Sequence, residues 1–256
     1  MGLRRKPILA VDKYAEFTCQ EKLYTYFPNI RVYGEEKLRD ESLDLRNTQE
    51  MVALLDMVDG TDLLERGLSN WCSAAIFYHP RQGILGAYVG IPSDGVYYAI
   101  EGVGAYKQPM GRGQRVKLKG VSGKRKIKNA SICFYGQAID NFLSVAVKRK
   151  FIKHLKQLRS NSRGKLKTRI YNIGGNPMMI KLAEGQVDAV FDLRGQYPHD
   201  VAPGAFIAKE AGAIFKDLKG NDIDLLKALL QPAKTKIKYI LASTPSLFKE
   251  IQAALS

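Results

Sequence analysis

The chain has 256 residues and a formal net charge of +15 at pH 7, with 45% hydrophobic and 25% charged residues. These values exclude a chain that is disordered throughout, and they allow one large domain or two small ones. No apolar run approaches the roughly 20 residues of a membrane span, and the basic start lacks the apolar segment of a secretory signal. We therefore expect a protein with no membrane partner.

The cysteines are odd in number and scattered along the chain, at Cys19, Cys72 and Cys133. This pattern fits reduced thiols better than a disulfide framework. It predicts a cytoplasmic protein.

The positive charge is concentrated in one block. Residues 107–169 hold 19 Lys and Arg against a single acidic residue, Asp140, so this block carries +18 and the remainder carries −3. Such a block is either a solvated, solubilising face or a surface for a polyphosphate, a nucleic acid or an acidic protein.

The first predicted element is a helix that starts near Asp12, with this residue as its N-cap, and ends before Pro28. Its apolar residues recur at three- and four-residue spacing and predict one buried stripe, formed by Ala15, Cys19, Leu23 and Tyr26. A short strand at residues 31–33 follows, and then a polar surface loop or short helix at residues 37–50.

A nearly continuous apolar run at residues 51–58 predicts a buried strand. Three further runs, separated by turn signals, predict an antiparallel meander at residues 71–78, 84–91 and 96–101. The rest of the chain predicts strands at residues 130–135, 169–173, 187–193 and 237–242, and helices at residues 141–158, 178–183, 199–212 and 245–255. Hairpins and crossovers together predict a layered α/β or α+β fold.

Carboxylates stand at the ends of these predicted elements. Asp56 and Asp59 flank the end of the buried strand, and Glu35 and Asp200 lie at other element ends. Buried carboxylates are costly unless a cation or hydrogen bonds compensate them, and this set offers enough hard oxygen ligands for two Mg²⁺ ions. For each residue alone, a turn or helix-cap role is the alternative.

Gly60 and Thr61 follow Asp59 directly. Glycine allows a ligand to approach the backbone closely, and free N–H groups at the start of a helical turn bind anions. A phosphate beside carboxylates would be repelled unless metal ions lay between them, so this pattern predicts metal-assisted phosphoryl chemistry.

Three motifs carry a family resemblance. Gly34-Glu35-Glu36, Asp56-Met57-Val58-Asp59-Gly60-Thr61 and His199-Asp200-Val201-Ala202 resemble the three signatures of the inositol monophosphatase family, which read roughly G-E-E, D-P-x-D-G-T and W-D-x-A. The resemblance runs from about Leu9 to the end of the chain. It implies a layered αβαβα sandwich with mixed and antiparallel sheets, and a lithium-sensitive, homodimeric phosphomonoester hydrolase that uses two to three Mg²⁺ ions.

The resemblance also implies residue roles. Glu35, Asp56 and the Val58 carbonyl match a first metal site, and Asp56, Asp59 and Asp200 match a second. Asp12 matches a residue that supports a weaker third metal and pairs with Thr61 to activate the attacking water. The Gly60 and Thr61 N–H groups match phosphate contacts. On the substrate side, the positions to be expected are Asp62, Tyr171, Gly174, Gly175, Asn176 and Asp192.

The motifs depart from the family pattern at two positions. Met57 replaces a proline, and His199 replaces the tryptophan before Asp200. His199 is either a hydrogen-bond donor that orients Asp200 or a surface or packing histidine. Differences around Tyr171 and Asn176 leave the substrate open among inositol phosphates, fructose 1,6-bisphosphate, related sugar phosphates and a 3′-phosphonucleotide.

The resemblance implies two halves, residues 1–135 with the first two motifs and residues 136–256 with Asp200 and the substrate side. It also implies a further helix before Asp12, so either the sequence starts late or the protein lacks this helix; in the second case an apolar patch is left exposed or a partner covers it. The alternative function is a regulatory or RNA-associated binding protein that uses the block at 107–169.

Overall fold

We describe a computed structural model of the chain, which covers residues 10–40, 42–92, 94–111, 113–120, 125–161 and 168–256. Its helices are α1 (Ala10–Tyr26), α2 (Glu35–Leu38), α3 (Thr61–Glu65), α4 (Ile139–Ala146), α5 (Arg149–Asn161), α6 (Asn176–Ala183), α7 (Pro198–Glu210), α8 (Leu225–Leu229) and α9 (Pro245–Leu255). Its strands are β1 (Arg31–Gly34), β2 (Val52–Asp59), β3 (Cys72–His79), β4 (Gly83–Ile91), β5 (Gly95–Ile100), β6 (Gly104–Pro109), β7 (Val116–Lys117), β8 (Ser131–Phe134), β9 (Arg169–Tyr171), β10 (Ala189–Gln196), β11 (Ile214–Lys216) and β12 (Ile237–Ala242).

The first sheet follows chain order from β1 to β7. Strand β1 is parallel to β2, and the later neighbours are antiparallel, as short connections between strands require. The register of β2 against β3 shifts between Asp56 and Asp59. This irregularity lies where β2 leaves the sheet, and such irregularities re-aim the side chains beside them.

The second sheet has the order β11-β12-β10-β8-β9. Strand β8 is parallel to both β10 and β9, whereas β12 runs antiparallel to β10 and β11. The mixed pairing reflects the connections, because helices α4 and α5 join the parallel strands β8 and β9, and α6 joins β9 to β10.

The layers alternate between helix and sheet. Helix α1 covers one face of the first sheet, α6 and α7 pack between the two sheets, and α4, α5 and α9 cover the outer face of the second sheet. The largest core cluster lies in the central helical layer, between Tyr78 and Tyr97 of the first sheet and Tyr239 of the second. The predicted αβαβα sandwich is confirmed.

The helix predicted at 141–158 is wrong as a single element, because the structure has two helices, α4 and α5, separated at Val147 and Lys148. Phe151 gives the physical reason. It lies off the register of the preceding apolar residues, and the break turns it inward, where it is 1% exposed and its ring meets Phe191 edge-on at 6.0 Å.

Two predictions for the first helix are also wrong. Asp12 lies inside α1 rather than at its N-cap position, and it is buried. Tyr26 is 74% exposed, and the stripe consists of Ala15, Cys19 and Leu23, which are half-buried where they pack against the outer face of the first sheet.

The division at residue 135 stays a prediction. The change from the first sheet to the second falls earlier, between Lys117 and Ser131, and α7 packs against strands of both sheets. The expectation about a helix preceding Asp12 lies outside the described residues. In the part of the chain that the structure describes, no helix is both long and apolar enough to cross a membrane.

Candidate metal centre

The predicted acidic residues meet in one pocket at the end of β2. Strand β2 supplies Asp56 and Asp59, α2 supplies Glu35 at its first residue, and α7 supplies Asp200 in its first turn. Helix α1 adds Asp12 from the other side. The central helical layer and the outer helix therefore bring together carboxylates that are up to 188 positions apart in the chain, from Asp12 to Asp200.

Asp56 and Asp59 are held in an environment that disfavours their charged form. Burial, followed by repulsion from Asp59, raises the pKa of Asp56 well above its ordinary value. Burial, followed by repulsion from Asp200, raises the pKa of Asp59 to about 7. Carboxyl groups whose pKa is raised in this way are either protonated or balanced by a cation.

The turn after β2 places a glycine and a threonine beside these carboxylates. Gly60 has a φ of +97°, and its position faces Trp71, so a side chain there would be strained. The Thr61 hydroxyl donates a hydrogen bond to the Val58 carbonyl at 2.9 Å. The described residues therefore show the predicted catalytic threonine bonded to a predicted metal ligand.

Asn176 holds one carboxylate of the cluster. Its side chain is fully buried, its Nδ2 donates to Asp59 Oδ2 at 3.0 Å, and its Oδ1 accepts from the Gly204 N–H at 2.7 Å. Asn176 was expected to contact the substrate, but no part of its side chain is exposed to the pocket. Its side chain instead joins Asp59 to helix α7.

The other predicted substrate residues fall into two groups. Asp62 lines the pocket. Gly174 and Gly175 precede α6, and the Gly174 carbonyl accepts a hydrogen bond from the Asn70 side chain. Asp192 is 1% exposed, and its Oδ1 accepts from the N–H groups of Arg194 and Gly195 at the irregularity within β10, so it does not line the pocket. Tyr171 is 41% exposed at the end of β9 and also lies outside the pocket lining.

His199 is not a surface histidine. It is 2% exposed, and its ring stacks on Tyr197 with centroids 5.6 Å apart. Burial lowers the pKa of His199 to about 4, so the ring is neutral at pH 7. Its Nε2 lies 3.3 Å from Asp200 Oδ1. The predicted hydrogen bond to Asp200 is not formed, however, since neither ring nitrogen has a hydrogen-bond partner among the described residues.

Several pocket residues were not predicted, because they belong to no motif. Lys13 and Arg39 add two cations to the lining, and Arg39 pairs with Glu35. Glu16 also lines the pocket, and its carboxylate occupies the space that a side chain at Gly34 would need. One sequence signal was available, since Glu16 lies one helical turn after Asp12. Tyr135 and Gln196 complete the lining.

The donor set fits a hard divalent cation. Glu35, Asp56, Asp59 and Asp200 present carboxylate oxygens to one pocket, and the raised pKa values of Asp56 and Asp59 mark a cluster that lacks a compensating charge. Oxygen ligands of this kind are those that Mg²⁺ and Ca²⁺ take in proteins. The residues present therefore suit the metal that the resemblance implies.

Comparison with known proteins decides the family. The sequence profile of the inositol monophosphatase family matches residues 4–255. The chain belongs to the inositol monophosphatase family. It is therefore a phosphatase of the phosphoric monoester hydrolase class, and metal binding is typical of this family.

Curated relatives in the family are distant but cover most of the chain. A fructose-1,6-bisphosphatase of Pyrococcus furiosus is 27% identical over 217 residues, which are 84% of this chain and 72% of that protein. An inositol-1-monophosphatase of Bacillus subtilis is 24% identical and covers 94% of this chain and 80% of its own length.

A solved structure in the family has the same fold. The Ca-bound inositol monophosphatase family protein of Staphylococcus aureus superposes with a TM-score of 0.71 at 20% identity, over 98% of this chain and 83% of that one. At this identity the likeness establishes the fold of the inositol monophosphatase family and nothing finer.

Proposed function

We propose that the chain is a Mg²⁺-dependent phosphomonoesterase acting on a small sugar, polyol or nucleotide phosphate. The observation that carries this proposal is the convergence of Glu35, Asp56, Asp59 and Asp200 on one pocket, beside Gly60 and Thr61. Phosphate and carboxylates are compatible in one pocket only when cations lie between them. The relatives' names support the same chemistry for two kinds of phosphate ester.

Glu35, Asp56, Asp59, Asp200 and the Val58 carbonyl are the groups we propose to hold two to three Mg²⁺ ions. When bound, such ions supply charge stabilisation for the phosphoryl group and lower the pKa of bound water. Burial of Asp56 and Asp59 strengthens this interaction, because charges interact more strongly where water is excluded. Asn176 fixes the direction in which Asp59 presents its oxygens.

Thr61 and Asp12 are the residues we propose to orient the attacking water. The Thr61 hydroxyl donates a hydrogen bond to the Val58 carbonyl, so the hydroxyl oxygen remains free to accept a hydrogen bond from a water molecule. Asp12 is buried at the same pocket and is a second acceptor there. Glu35 lines the same pocket from the start of α2.

The start of α3 is the proposed phosphate contact. The first N–H groups of a helix lack intrahelical acceptors, and Gly60 and Thr61 lie at this position. Lys13 and Arg39 at the pocket lining add positive charge for a substrate anion. Both lie outside the basic block at 107–169, and on the described residues nothing favours the RNA-associated alternative, so we propose the phosphatase alone.

The sharpest test removes Asp56, which both proposed metal sites share. We expect Asp56→Asn to abolish phosphate release with Mg²⁺, because an amide cannot supply the negative charge that two cations need. The assay measures inorganic phosphate from a panel of inositol, sugar and 3′-nucleotide phosphates. The same panel identifies the preferred substrate.

The matched control is Asp188→Asn. Asp188 is also a buried aspartate at the start of a strand, but it accepts from the Ser131 N–H and pairs with Arg125, outside the pocket. This variant retains phosphate release. Near-wild-type turnover of Asp56→Asn with Mg²⁺ present would contradict the metal assignment. Lithium sensitivity and a homodimer are further parts of the same proposal.

A further inference from the structure

His199 belongs to a second convergence of donor atoms, which shares Glu35 and Asp200 with the pocket although His199 itself lies behind the pocket lining. One ligand atom each from Glu35, His199 and Asp200 lies within 4.8 Å of the other two. Glu35 opens α2 and His199 and Asp200 belong to the first turn of α7, so two helix starts face each other here. The resemblance to the family assigns oxygen ligands only, and it places a tryptophan where this chain has His199.

The imidazole of His199 is buried without the hydrogen bonds that buried polar groups normally make. It is 2% exposed, and neither Nδ1 nor Nε2 has a hydrogen-bond partner among the described residues. Leaving a buried polar group unpaired destabilises the folded protein, because the group has lost its hydrogen bonds to water without replacement. A buried group of this kind in a native protein calls for an explanation, such as a catalytic role or an ion that it binds.

The contact between His199 and Asp200 indicates what the imidazole faces. Nε2 lies 3.3 Å from Asp200 Oδ1 in a geometry that makes no hydrogen bond. Metal–nitrogen and metal–oxygen bonds of about 2.1 Å at angles of about 90–110° place two neighbouring ligands about 3.0–3.4 Å apart. The observed separation is therefore one that two ligands of a single cation can have.

We propose that His199 is a nitrogen ligand of a metal ion bound with Glu35 and Asp200, and that this ion is a first-row transition metal such as Fe²⁺ or Zn²⁺ in preference to Mg²⁺. Mg²⁺ takes oxygen ligands, whereas imidazole suits the more polarising transition ions. Asp56 and Asp59 contribute oxygen only, and Mg²⁺ remains the ion proposed at those ligands. Glu35 and Asp200 each have two carboxylate oxygens, so they can serve this ion and a neighbouring Mg²⁺ together. The inference names the metal class of the proposed phosphatase site and in that sense rests on the proposed function.

The ring of His199 allows a substitution that removes only the nitrogen. His199→Phe keeps an aromatic ring against Tyr197, and His199→Trp restores the residue of the family motif. His154→Phe is the matched control, since His154 lies on helix α5, away from the pocket. Circular dichroism and thermal unfolding of each variant establish that it is folded.

The experiment loads the metal-free full-length protein with Mn²⁺, which serves as a paramagnetic probe of the site, and records its pulsed EPR spectrum. We expect coupling to an imidazole ¹⁴N in the wild type and in His154→Phe, and its loss in His199→Phe and His199→Trp. Calorimetric titration of Mn²⁺ and Mg²⁺ measures the ratio of the two affinities. This ratio falls about tenfold or more in both His199 variants, the scale expected when a metal-site partner is lost.

Absence of ¹⁴N coupling in the wild type, or an unchanged ratio of Mn²⁺ to Mg²⁺ affinity in folded His199 variants, would overturn the assignment. The two proposals fail separately. Phosphate release without ¹⁴N coupling retains the phosphatase and rejects the nitrogen ligand. Nitrogen coupling without release of phosphate from any substrate retains the metal site and rejects the proposed function.

Discussion

Asp59 is a single side chain that is subject to burial and to charge repulsion and that we propose as a metal ligand. Asn176 and the Cys72 thiol both contact its Oδ2, at 3.0 and 3.6 Å, and Asp200 lies close enough to repel it. Two donors favour the charged form, but burial and repulsion outweigh them, so the pKa of Asp59 is raised to about 7. A cation bound at Asp59 would offset both causes, because it would stabilise the charged carboxylate.

The raised pKa of Asp59 predicts how pH changes the stability of the metal-free protein. Because the folded protein retains a proton on Asp59 that the unfolded chain has lost above about pH 4, the free energy of unfolding falls as pH rises from about 4 to 7. Denaturant unfolding in a chelator between pH 5 and 7.5 measures this decline. Asp59→Asn makes the decline shallower without removing it, because the pKa of Asp56 is also raised. Saturating Mg²⁺ stabilises the protein more at pH 7.5 than at pH 5. A stability that rises over this range in the wild type and is unaffected by Asp59→Asn would count against it.

At the scale of elements, helix α6 is fixed at both ends. Asn176 at its first residue contacts Asp59 and α7. At its other end, Lys181 contacts Asp94 at 2.6 Å and Glu184 at 2.9 Å, and Lys107 of β6 contacts the same two carboxylates. This cluster of alternating charges ties α6 to the turn between β4 and β5, and so helps to hold Asn176 in place.

We expect Asp94→Asn to lower the free energy of unfolding by about 1–3 kcal/mol, because it leaves two partly buried lysines with one carboxylate. Burial alone would raise the pKa of Asp94, but hydrogen bonds from Lys107 and Lys181 outweigh it and hold the pKa below its usual range. Its stabilising effect is therefore present above about pH 4 and is lost as pH falls further.

Urea unfolding at pH 7 measures the cost of Asp94→Asn. The matched control is Asp222→Asn, which removes an ion pair with Lys216 whose carboxylate is 88% exposed. An exposed pair of this kind contributes about 0–1 kcal/mol. Equal losses in the two variants would show that the cluster does not anchor α6.

At the scale of the whole molecule, α1 has two apolar faces. One packs on the first sheet through Ala15, Cys19 and Leu23, and the other exposes Tyr14 and Phe17. The basic block is likewise a surface feature over much of its described length, because Arg149, Lys150, Lys153 and Lys156 of α5 are exposed. The acidic pocket lies elsewhere, on the end of β2.

The exposure of Phe17 predicts how its substitution changes the stability of the monomer. Its side chain is 61% exposed, so we expect Phe17→Ser to change the free energy of unfolding by no more than about 0.5 kcal/mol. Urea unfolding at several protein concentrations makes the measurement. A loss of more than about 2 kcal/mol that depends on protein concentration would instead place Phe17 inside an interface between copies of the chain.

Local pattern was sufficient for the elements that carry the motifs. The apolar run at 51–58 and the alternation in the meander predicted β2 to β5, because a buried strand needs apolar residues on both faces. Short elements were not predicted, among them α3, β7, β11 and α8, because two to five residues carry no periodicity. The break between α4 and α5 was also not predicted, because it depends on the packing of Phe151 against Phe191, a residue of another element.

By itself the sequence determined the family, the layered fold and the carboxylates at the element ends, because these follow from residue types at fixed spacing. Only the tertiary structure decided that Asn176 contacts Asp59, that Asp192 is buried away from the pocket, and that His199 lies beside Asp200 without a hydrogen bond. Such facts depend on how helices and strands distant in the chain approach one another. Spacing along a chain specifies which groups are present, whereas burial and contact specify what each group can do.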